Sequence, residues 1–169
     1  MNPIKYCQEC GNENHFSYID GNNRYHCLKC STIHYQNPKP TATLICMKDD
    51  KLLLGKRDRN PAKGEWGLIG GFMELNETLE QAAIRELYEE TRLVGEIINI
   101  FGTSSHFNTV FGDVLLIGLE VKVKYWNTLY AGDDISEAKL FKIDNLPDLA
   151  FNSHIELINI YKKNKKLSH

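Results

Sequence analysis

The stretch that decides the fold is GFMELNETLEQAAIRELYEETRL, residues 71–93 of a 169-residue chain. Residues 78–91 contain no Gly or Pro and are rich in strong helix formers, which predicts a helix. Positions three and four apart share one helix face, so Glu86, Glu89 and Glu90 are expected to converge. The residues expected to pack against the rest of the domain are Leu79, Ala82, Ala83 and Leu87.

The converging carboxylates indicate a cation site. Like charges at this spacing destabilise an isolated helix by roughly 0.2–0.5 kcal/mol per pair, and a bound cation relieves that repulsion. Carboxylates suit a hard ion such as Mg²⁺ or Mn²⁺, which can also bridge to substrate phosphates. The alternative is a solvated acidic helix face. The preceding Gly70-Gly71 turn and the ordered Arg85 favour the metal site.

The spacing of this stretch carries a family resemblance. It runs Gly71, five residues, Glu77, seven residues, and then RELYEETRL at 85–93. This resembles the Nudix box, G-x5-E-x7-R-E-U-x-E-E-x-G-U with U aliphatic, at every defined position but one. Arg92 replaces the glycine of the box, at a cost on the order of 1 kcal/mol unless the helix ends differently or stops at Gly95. Upstream, GEWGLIGG at 64–71 is similar to the family's G-x-W-x-L-P-G-G, with Ile69 in place of proline.

The resemblance implies roles for the matching residues. The implied ligands of Mg²⁺ or Mn²⁺ are Glu86, Glu89, Glu90 and the Gly70 carbonyl, and Glu86 is also a candidate base. Arg85 would orient a glutamate. Glu77 would fix the loop behind the ligands, next to the box glycine Gly71. Glu137 resembles a distal glutamate that comes from a loop beside the site.

Four cysteines near the start of the chain form a second constellation. Cys7 and Cys10 make one C-x2-C pair, Cys27 and Cys30 make another, and sixteen residues separate the pairs. This spacing is typical of a four-cysteine zinc ribbon, with a hairpin turn at DGNN, residues 20–23. Two disulfides or a redox C-x-x-C are the alternatives. The start of the chain shows no signal peptide, so we expect a cytoplasmic protein with structural Zn²⁺.

Composition fits a small enzyme with two parts, a ribbon at 1–35 and a larger domain at 36–169. Twenty basic against 22 acidic residues give a net charge of -2, so no global field favours nucleic acid. The longest apolar run, residues 114–119, has six residues, far below the roughly twenty that span a bilayer. The expected partner is therefore a small-molecule nucleotide, with a homodimer as the candidate assembly. Cys46 is expected to be a buried thiol.

The rest of the chain predicts an α/β fold. After the linker at 33–40, strands are expected at 41–48, 51–57, 97–106, 110–122 and 138–143, a short one within 64–71, and a helix at 152–163. The dense Val, Leu and Ile of the strand at 110–122 predict a central position. The order β-β-β-α-β-β-β-α fits a mixed sheet between helices, an α/β/α sandwich, which the Nudix resemblance also implies.

The implied reaction is metal-dependent hydrolysis of the pyrophosphate bond in a nucleoside diphosphate linked to another moiety, giving AMP and a phosphorylated partner. Family NADH pyrophosphatases carry S-Q-P-W-P-F-P after the box, where this chain has TSSHFN at 103–108. ADP-ribose or FAD is therefore favoured, with specificity from the loops at 104–108 and 125–134. Phe72, Phe107 and Phe151 are candidates to stack on an adenine.

Other functions remain as alternatives at this stage. An NADH pyrophosphatase and an RNA cap-type hydrolase are the enzymatic ones. The net charge of -2 does not support a nucleic-acid-binding zinc-ribbon protein. A nucleotide sensor would be expected to lose box glutamates, and all of them are present.

Overall fold

The computed structural model describes residues 3–167, and the chain divides into two units between Pro38 and Lys39. The first unit is a three-stranded antiparallel sheet in the order β1 (His15–Ile19), β2 (Asn22–His26) and β3 (Ile33–His34). β1 and β2 form the hairpin expected from the DGNN turn. The sequence predicts a linker at the residues of β3. A two-residue strand is defined only by its pairing with β2, which the local sequence does not encode.

The second unit contains seven strands and two helices. The strands are β4 (Lys39–Lys48), β5 (Lys51–Arg57), β6 (Trp66–Gly67), β7 (Ile69–Phe72), β8 (Gly95–Thr109), β9 (Gly112–Val123) and β10 (Ile135–Lys142). The helices are α1 (Leu79–Thr91) and α2 (Asn152–Leu167). In the described part of the chain, no helix has the length and apolar character needed to cross a membrane.

The sheet of the second unit is mixed, as predicted. Its main path runs β10-β5-β4-β9-β8, with β4 and β9 parallel and the other neighbours antiparallel. β9 lies between β4 and β8, which confirms the interior position expected from its apolar composition.

Each face of the sheet is covered by one helix. Successive strand residues point to opposite faces, and the buried residues of β4 and β5 alternate accordingly. Leu44, Cys46 and Leu53 belong to the core that includes α1, with Ala82, Ala83 and Leu87. Ile45, Leu52 and Leu54 belong to the core that includes α2, with Leu157, Ile158 and Tyr161. The predicted α/β/α sandwich is confirmed, and Cys46 is fully buried as expected.

The β4–β5 hairpin opens away from its turn. The two strands pair only at Met47 with Leu52 and at Lys48 with Lys51. Beyond that point β4 pairs with β7, while β5 pairs with β6. The short strands of the GEWGLIGG segment are therefore inserted where β4 and β5 separate, and they bring Gly70 and Gly71 against glutamates of α1.

Helix α1 is capped at both ends by residues of the box. Thr78 accepts a hydrogen bond from the Gln81 N–H, and the Gln81 side chain accepts one from the Thr78 N–H, a reciprocal capping box. At the other end Arg92 adopts the left-handed conformation with φ 57° and donates its N–H to the Tyr88 carbonyl. The arginine thus takes the position of the box glycine, and Gly95 instead begins β8.

Several element boundaries differ from the sequence-based expectation, and two of the differences move residues between strand and loop near the cleft. β10 begins at Ile135, so residues 135–137 lie in a strand rather than in the predicted loop. Val110 and Phe111 form the turn between β8 and β9, and β9 starts at Gly112. Both differences reflect pairing with a neighbouring strand, which local composition does not encode.

The left-handed Arg92 allows a test of backbone strain. The Arg92 side chain lies over the Tyr88 ring at 5.2 Å, and both Gly and Ala would remove that contact. Arg92→Gly should unfold with a free energy about 1 kcal/mol higher than Arg92→Ala, because only glycine adopts this conformation without strain. Chemical denaturation of the two variants measures the difference. Equal stabilities would show that the backbone at this position carries no strain.

Candidate active site

The four cysteines of the first unit lie together. Their sulfur atoms all lie within 4.8 Å of one another, with Sγ–Sγ distances of 3.5 Å for Cys7–Cys30 and for Cys10–Cys27. A disulfide bond would require about 2.0 Å, so these cysteines are not cross-linked in pairs. The arrangement is that of four ligands around one metal ion.

Hydrogen bonds shape the two cysteine knuckles and lower the pKa of Cys30. In the first knuckle the Gly11 N–H donates to the Cys7 carbonyl. In the second knuckle the Ser31 N–H donates to the Cys27 carbonyl in the same way. The hydroxyl and the backbone N–H of Thr32 hold the pKa of Cys30 down to about 6. A lowered pKa favours the thiolate, the form that binds metal.

The second unit contains a cleft of about 680 Å³. It lies where β4 and β5 separate, and α1 and α2 both contribute to its wall. The residues that line it include Thr41 and Thr43 from β4, Arg57 from β5, Gly70 and Gly71 from β7, three glutamates of α1, and Phe151, Ser153 and His154 at the start of α2.

Arg85 organises the carboxylate end of this cleft. Its Nε and Nη2 donate to the two carboxylate oxygens of Glu77, at 3.0 and 2.7 Å. Its Nη1 donates to Glu86 at 2.7 Å and to Glu89 at 3.0 Å, and Nη2 also donates to the Phe72 carbonyl at 3.0 Å. One guanidinium therefore fixes two glutamates of the helix and ties the loop before the helix to them.

Glu77 is the loop anchor in this arrangement. The hydrogen bonds from Arg85, followed by that from the Glu74 N–H, hold the pKa of Glu77 down to about 2. Glu77 therefore stays ionised and bound to Arg85 at any pH at which the protein is studied.

Glu90 occupies a different environment. It is 7% exposed, and its Oε2 accepts a hydrogen bond from the Gly70 N–H at 3.0 Å. Burial raises the pKa of Glu90 to about 8, and burial also raises the pKa of Glu86. Burial penalises the ionised form of each carboxyl, and a cation placed between them would offset that penalty.

Neighbouring atoms leave no room for a side chain at either of the two glycines before α1. A Cβ on Gly71 would lie 2.6 Å from the Glu86 carboxylate, so the absence of a side chain makes room for that group. Gly70 has φ 134°, and a Cβ there would lie 2.1 Å from the Ala42 carbonyl oxygen. The loop thus brings its backbone directly against the carboxylates.

The charge of the cleft suits divalent cations. Its lining includes six carboxylates, from Glu74, Glu86, Glu89, Glu90, Asp133 and Asp134, and three guanidinium groups, from Arg57, Arg59 and Arg85. Arg85 is already committed to three carboxylates. The remaining negative charge and the oxygen donors match the preference of Mg²⁺ and Mn²⁺.

The cleft also contains residues that the sequence alone did not identify. Arg59 pairs with Asp133 at 3.6 Å and with Asp134 at 2.7 Å, joining two loops at the cleft. Arg57 donates from Nε to the Pro61 carbonyl at 2.8 Å, and its Nη atoms find no acceptor among residues 3–167. The one sequence feature that points to these residues is the acidic pair Asp133-Asp134, which lies in the loop at 125–134 that the sequence predicts to set specificity.

Glu137 lies elsewhere. It belongs to β10, pairs with Lys56 at 4.0 Å, and is not among the residues that line the cleft. The structure brings together Gly70, Gly71, Glu77, Arg85, Glu86, Glu89 and Glu90, but it does not bring Glu137 to them. A register shift in β10 between Ile135 and Glu137 separates Glu137 from the loop that carries Asp133 and Asp134.

Aromatic residues line other parts of the cleft. Phe72 contacts Phe111 edge to face, with 5.3 Å between ring centroids. Phe151 lies 5.2 Å from both His106 and His154, and Arg57 lies over its ring at 5.1 Å. Of the three phenylalanines proposed to stack on a base, Phe72 and Phe151 line the cleft, whereas Phe107 is not among its lining residues.

Comparisons with known proteins agree with these two units. Residues 38–161 match the family model of the NUDIX domain, and residues 5–36 match the model of the Nudix N-terminal zinc ribbon. A structure of a NUDIX hydrolase from Nitrosomonas europaea superposes with a TM-score of 0.82 at 33% identity, covering 96% of this chain and 93% of that one.

Two relatives bear the names of hydrolases with different substrates. The ADP-ribose pyrophosphatase of Methanocaldococcus jannaschii is 41% identical over 130 residues, 76% of each chain. The NAD-capped RNA hydrolase NudC of Vibrio atlanticus is 31% identical over 87% of this chain and 52% of its own length. The chain therefore spans about half the length of that NudC protein.

The raised pKa of Glu90 predicts a pH dependence of stability in the absence of Mg²⁺ and Mn²⁺. Between its ordinary value of 4.5 and about 8, Glu90 keeps its proton when folded and loses it when unfolded. The free energy of unfolding should therefore fall as pH rises through this interval, by up to about 1.4 kcal/mol per pH unit.

Glu90→Gln should remove this slope, since an amide oxygen can still accept the Gly70 hydrogen bond without titrating. Burial lowers the pKa of His154 to about 3, so His154 changes the free energy of unfolding with pH in the opposite direction. This contribution is the same in wild type and variant and cancels in the comparison. Denaturation of zinc-loaded protein at several pH values provides the measurement. Parallel curves for wild type and variant would contradict the prediction.

Proposed function

We propose, because this chain belongs to the Nudix hydrolase family, that it hydrolyses the pyrophosphate bond of a nucleoside diphosphate linked to a second moiety. One observation carries the proposal: Arg85 holds Glu86 and Glu89 beside the buried Glu90, within a cleft large enough for a nucleotide. The products would be AMP, where the nucleoside is adenosine, and a phosphorylated partner.

ADP-ribose is the substrate that we favour, and FAD is the second. The 41% identical relative bears the name of an ADP-ribose pyrophosphatase and covers three quarters of the chain. The absence of S-Q-P-W-P-F-P after the box supports the same choice over NADH.

The donor set fits Mg²⁺ or Mn²⁺. Glu86, Glu89 and Glu90, with the Gly70 carbonyl, would hold the ions, since the lining has an excess of carboxylates and a bound cation would offset the burial penalty on ionised Glu90. Bound ions would neutralise phosphate charge and lower the pKa of water.

The residues of the chain orient the substrate and move the proton. Arg57, whose Nη donors have no acceptor within the described part of the chain, would bind a phosphate and set the diphosphate along the cleft. Arg85 keeps Glu86 and Glu89 in fixed rotamers, so the chemical step requires no rearrangement of the site.

The base that accepts a proton from water must be a carboxylate at this end of the cleft. Glu86 is our first candidate, because burial raises its pKa and places it closer to the working pH. Asp133 and Asp134 are the alternatives, as they line the cleft and influence Glu86 and Glu90 electrostatically. Glu137 is not a candidate on this geometry, because it lies outside the cleft lining and pairs with Lys56.

An NAD-capped RNA is the second candidate substrate. The NudC relatives carry that name, so nucleic acid remains open as a partner despite the near-neutral net charge. A homodimer and a cytoplasmic location remain predictions.

We propose that the ribbon, residues 1–35, holds one structural Zn²⁺ and that the hydrolase domain spans residues 36–169. Tetrahedral Zn–S bonds of about 2.3 Å fit four thiolates as closely grouped as these. A unit of this size lacks a hydrophobic core of its own, so the metal would supply much of its stability.

The function is tested by turnover of ADP-ribose in wild type and in Glu89→Gln. Loss of one charged ligand should lower kcat by about 100-fold or more, while removal of like-charge repulsion leaves the fold intact. Glu80→Gln is the matched control, since Glu80 lies in the first turn of the same helix and outside the cleft. Wild-type turnover by Glu89→Gln at limiting metal would overturn the site assignment.

A panel of ADP-ribose, FAD, NADH, an NAD-capped RNA and AMP identifies the substrate. AMP should be inert, because it has no pyrophosphate bond. A ten-fold higher kcat/KM for NADH or for capped RNA, about 1.4 kcal/mol, would replace ADP-ribose and leave the reaction class unchanged.

Metal analysis tests the ribbon. Purified protein should contain one zinc per chain, and a chelator that removes it should unfold the first unit while the second keeps its structure. Double substitution of Cys10 and Cys30 by serine should reproduce that loss. Protein that contains no zinc and carries disulfides among these cysteines would contradict the prediction.

A further inference from the structure

One end of the cleft has polar groups that the proposed hydrolysis does not use. Phe151, Ser153 and His154 lie at the start of α2, and His106 comes from β8. A Cβ on Gly67 would meet His154, a Cβ on Gly71 would meet Glu86, and these two glycines lie four positions apart in the chain. At no more than about 3.3 Å per position the two glycines lie on the order of 13 Å apart or less, and the cleft of about 680 Å³ has room for a ribose and phosphates.

Ser153 is the first of these groups. The residue is 5% exposed and lines the cleft, and its Oγ has no hydrogen-bond partner among the described residues. Buried hydroxyls are nearly always paired, because an unpaired one loses its hydration without replacement. A hydroxyl left unpaired on the wall of a binding cleft is therefore available to a ligand.

His154 supplies a donor of fixed direction. Its Nδ1 accepts a hydrogen bond from the Leu68 N–H at 3.0 Å. Burial, followed by the charge of Arg57, lowers the pKa of His154 to about 3, so the ring is neutral. Since Nδ1 is an acceptor, the single proton is assigned to Nε2, which becomes a hydrogen-bond donor.

The same end of the cleft offers an aromatic surface. The Phe151 and His106 ring centroids lie 5.2 Å apart, and the rings are tilted by 55°. Nucleobases stack on aromatic rings and on guanidinium planes, and Arg57 lies over the Phe151 ring at 5.1 Å. The edges of a base carry both hydrogen-bond donors and acceptors. The Phe72–Phe111 pair also lines the cleft. In residues 3–167, however, neither phenylalanine has a chain neighbour with an unpaired buried polar side-chain atom.

We propose that Phe151, His106, Ser153 and His154 form a subsite for the nucleobase of the substrate. The base stacks on the Phe151–His106 surface, the His154 Nε2–H donates to a ring nitrogen, and the Ser153 hydroxyl pairs with the adjacent exocyclic group. Because a hydroxyl can donate or accept, Ser153 accommodates an amino or an oxo group there. This inference rests on the proposed function, in that the ligand is a nucleotide.

Ser153→Ala tests the subsite with little risk to the fold, because the hydroxyl has no partner to lose. The KM for ADP-ribose should rise about three- to ten-fold, as expected for one neutral hydrogen bond, with kcat within two-fold of wild type. The melting temperature should stay the same or rise. Phe151→Leu should raise KM by about ten-fold or more through lost stacking.

Tyr161→Phe is the matched control. It also removes one hydroxyl from α2, but the Tyr161 hydroxyl is paired with Glu120 at 3.0 Å and lies outside the cleft. This variant should keep the wild-type KM and have a lower melting temperature.

Calorimetric titration separates a base subsite from a phosphate subsite at the start of α2, whose first turn has no acidic residue. AMP should bind wild type at least ten-fold more tightly than ribose 5-phosphate, and Ser153→Ala should weaken AMP alone. Equal weakening of both ligands, an unchanged AMP affinity, or no AMP binding to wild type would each overturn the proposal.

The titration does not depend on turnover. If wild type hydrolyses no diphosphate of the panel yet Ser153→Ala weakens AMP, the proposed function fails and the base subsite stands. If wild type hydrolyses ADP-ribose and Ser153→Ala matches it in KM and in AMP affinity, the subsite alone fails.

Discussion

The candidate site depends on a single cation, the guanidinium of Arg85. Three glutamates and one backbone carbonyl accept its hydrogen bonds, and they come from the loop before α1 and from two turns of α1 itself. Without this charge Glu86 and Glu89 would repel each other beside a third carboxylate. Arg85 is bound through two hydrogen bonds to Glu77, so its single charge cannot fully neutralise Glu86 and Glu89 as well. The helix therefore keeps an excess of negative charge that faces the cleft.

Sheet topology explains why that charge faces a cleft rather than solvent. β4 and β5 pair at only two residue pairs next to their turn, and the inserted strands β6 and β7 fill the opening. The glycines of β7 therefore lie against the Glu86 and Glu90 carboxylates of α1. Gly70 and Gly71 fit there because any Cβ would collide with Ala42 or with Glu86. Fold and site are thus specified by the same short segment.

The sequence predicted what is encoded locally. The α1 helix, its buried face, the paired cysteine knuckles and the interior position of β9 all follow from spacing and composition, and the structure has them. Arg57 and Ser153 were not found, because their environment is created by packing between segments far apart in the chain. Glu137 was placed in a loop, whereas pairing with β5 draws it into β10 and leaves Asp133 and Asp134 beside the carboxylates.

The two ends of the cleft differ in electrostatic character, and this difference gives a nucleotide one direction in which to bind. The α1 end collects carboxylates that require cations, so it attracts a diphosphate only when metal is present. The α2 end has a neutral histidine, an unpaired hydroxyl and aromatic rings, which suit an uncharged base. Arg57 lies between them, close enough to influence the titration of both Glu90 and His154. A ligand bound in reverse would place an uncharged base among carboxylates and leave a diphosphate without a metal, so the charge pattern alone selects the orientation that presents the anhydride to α1.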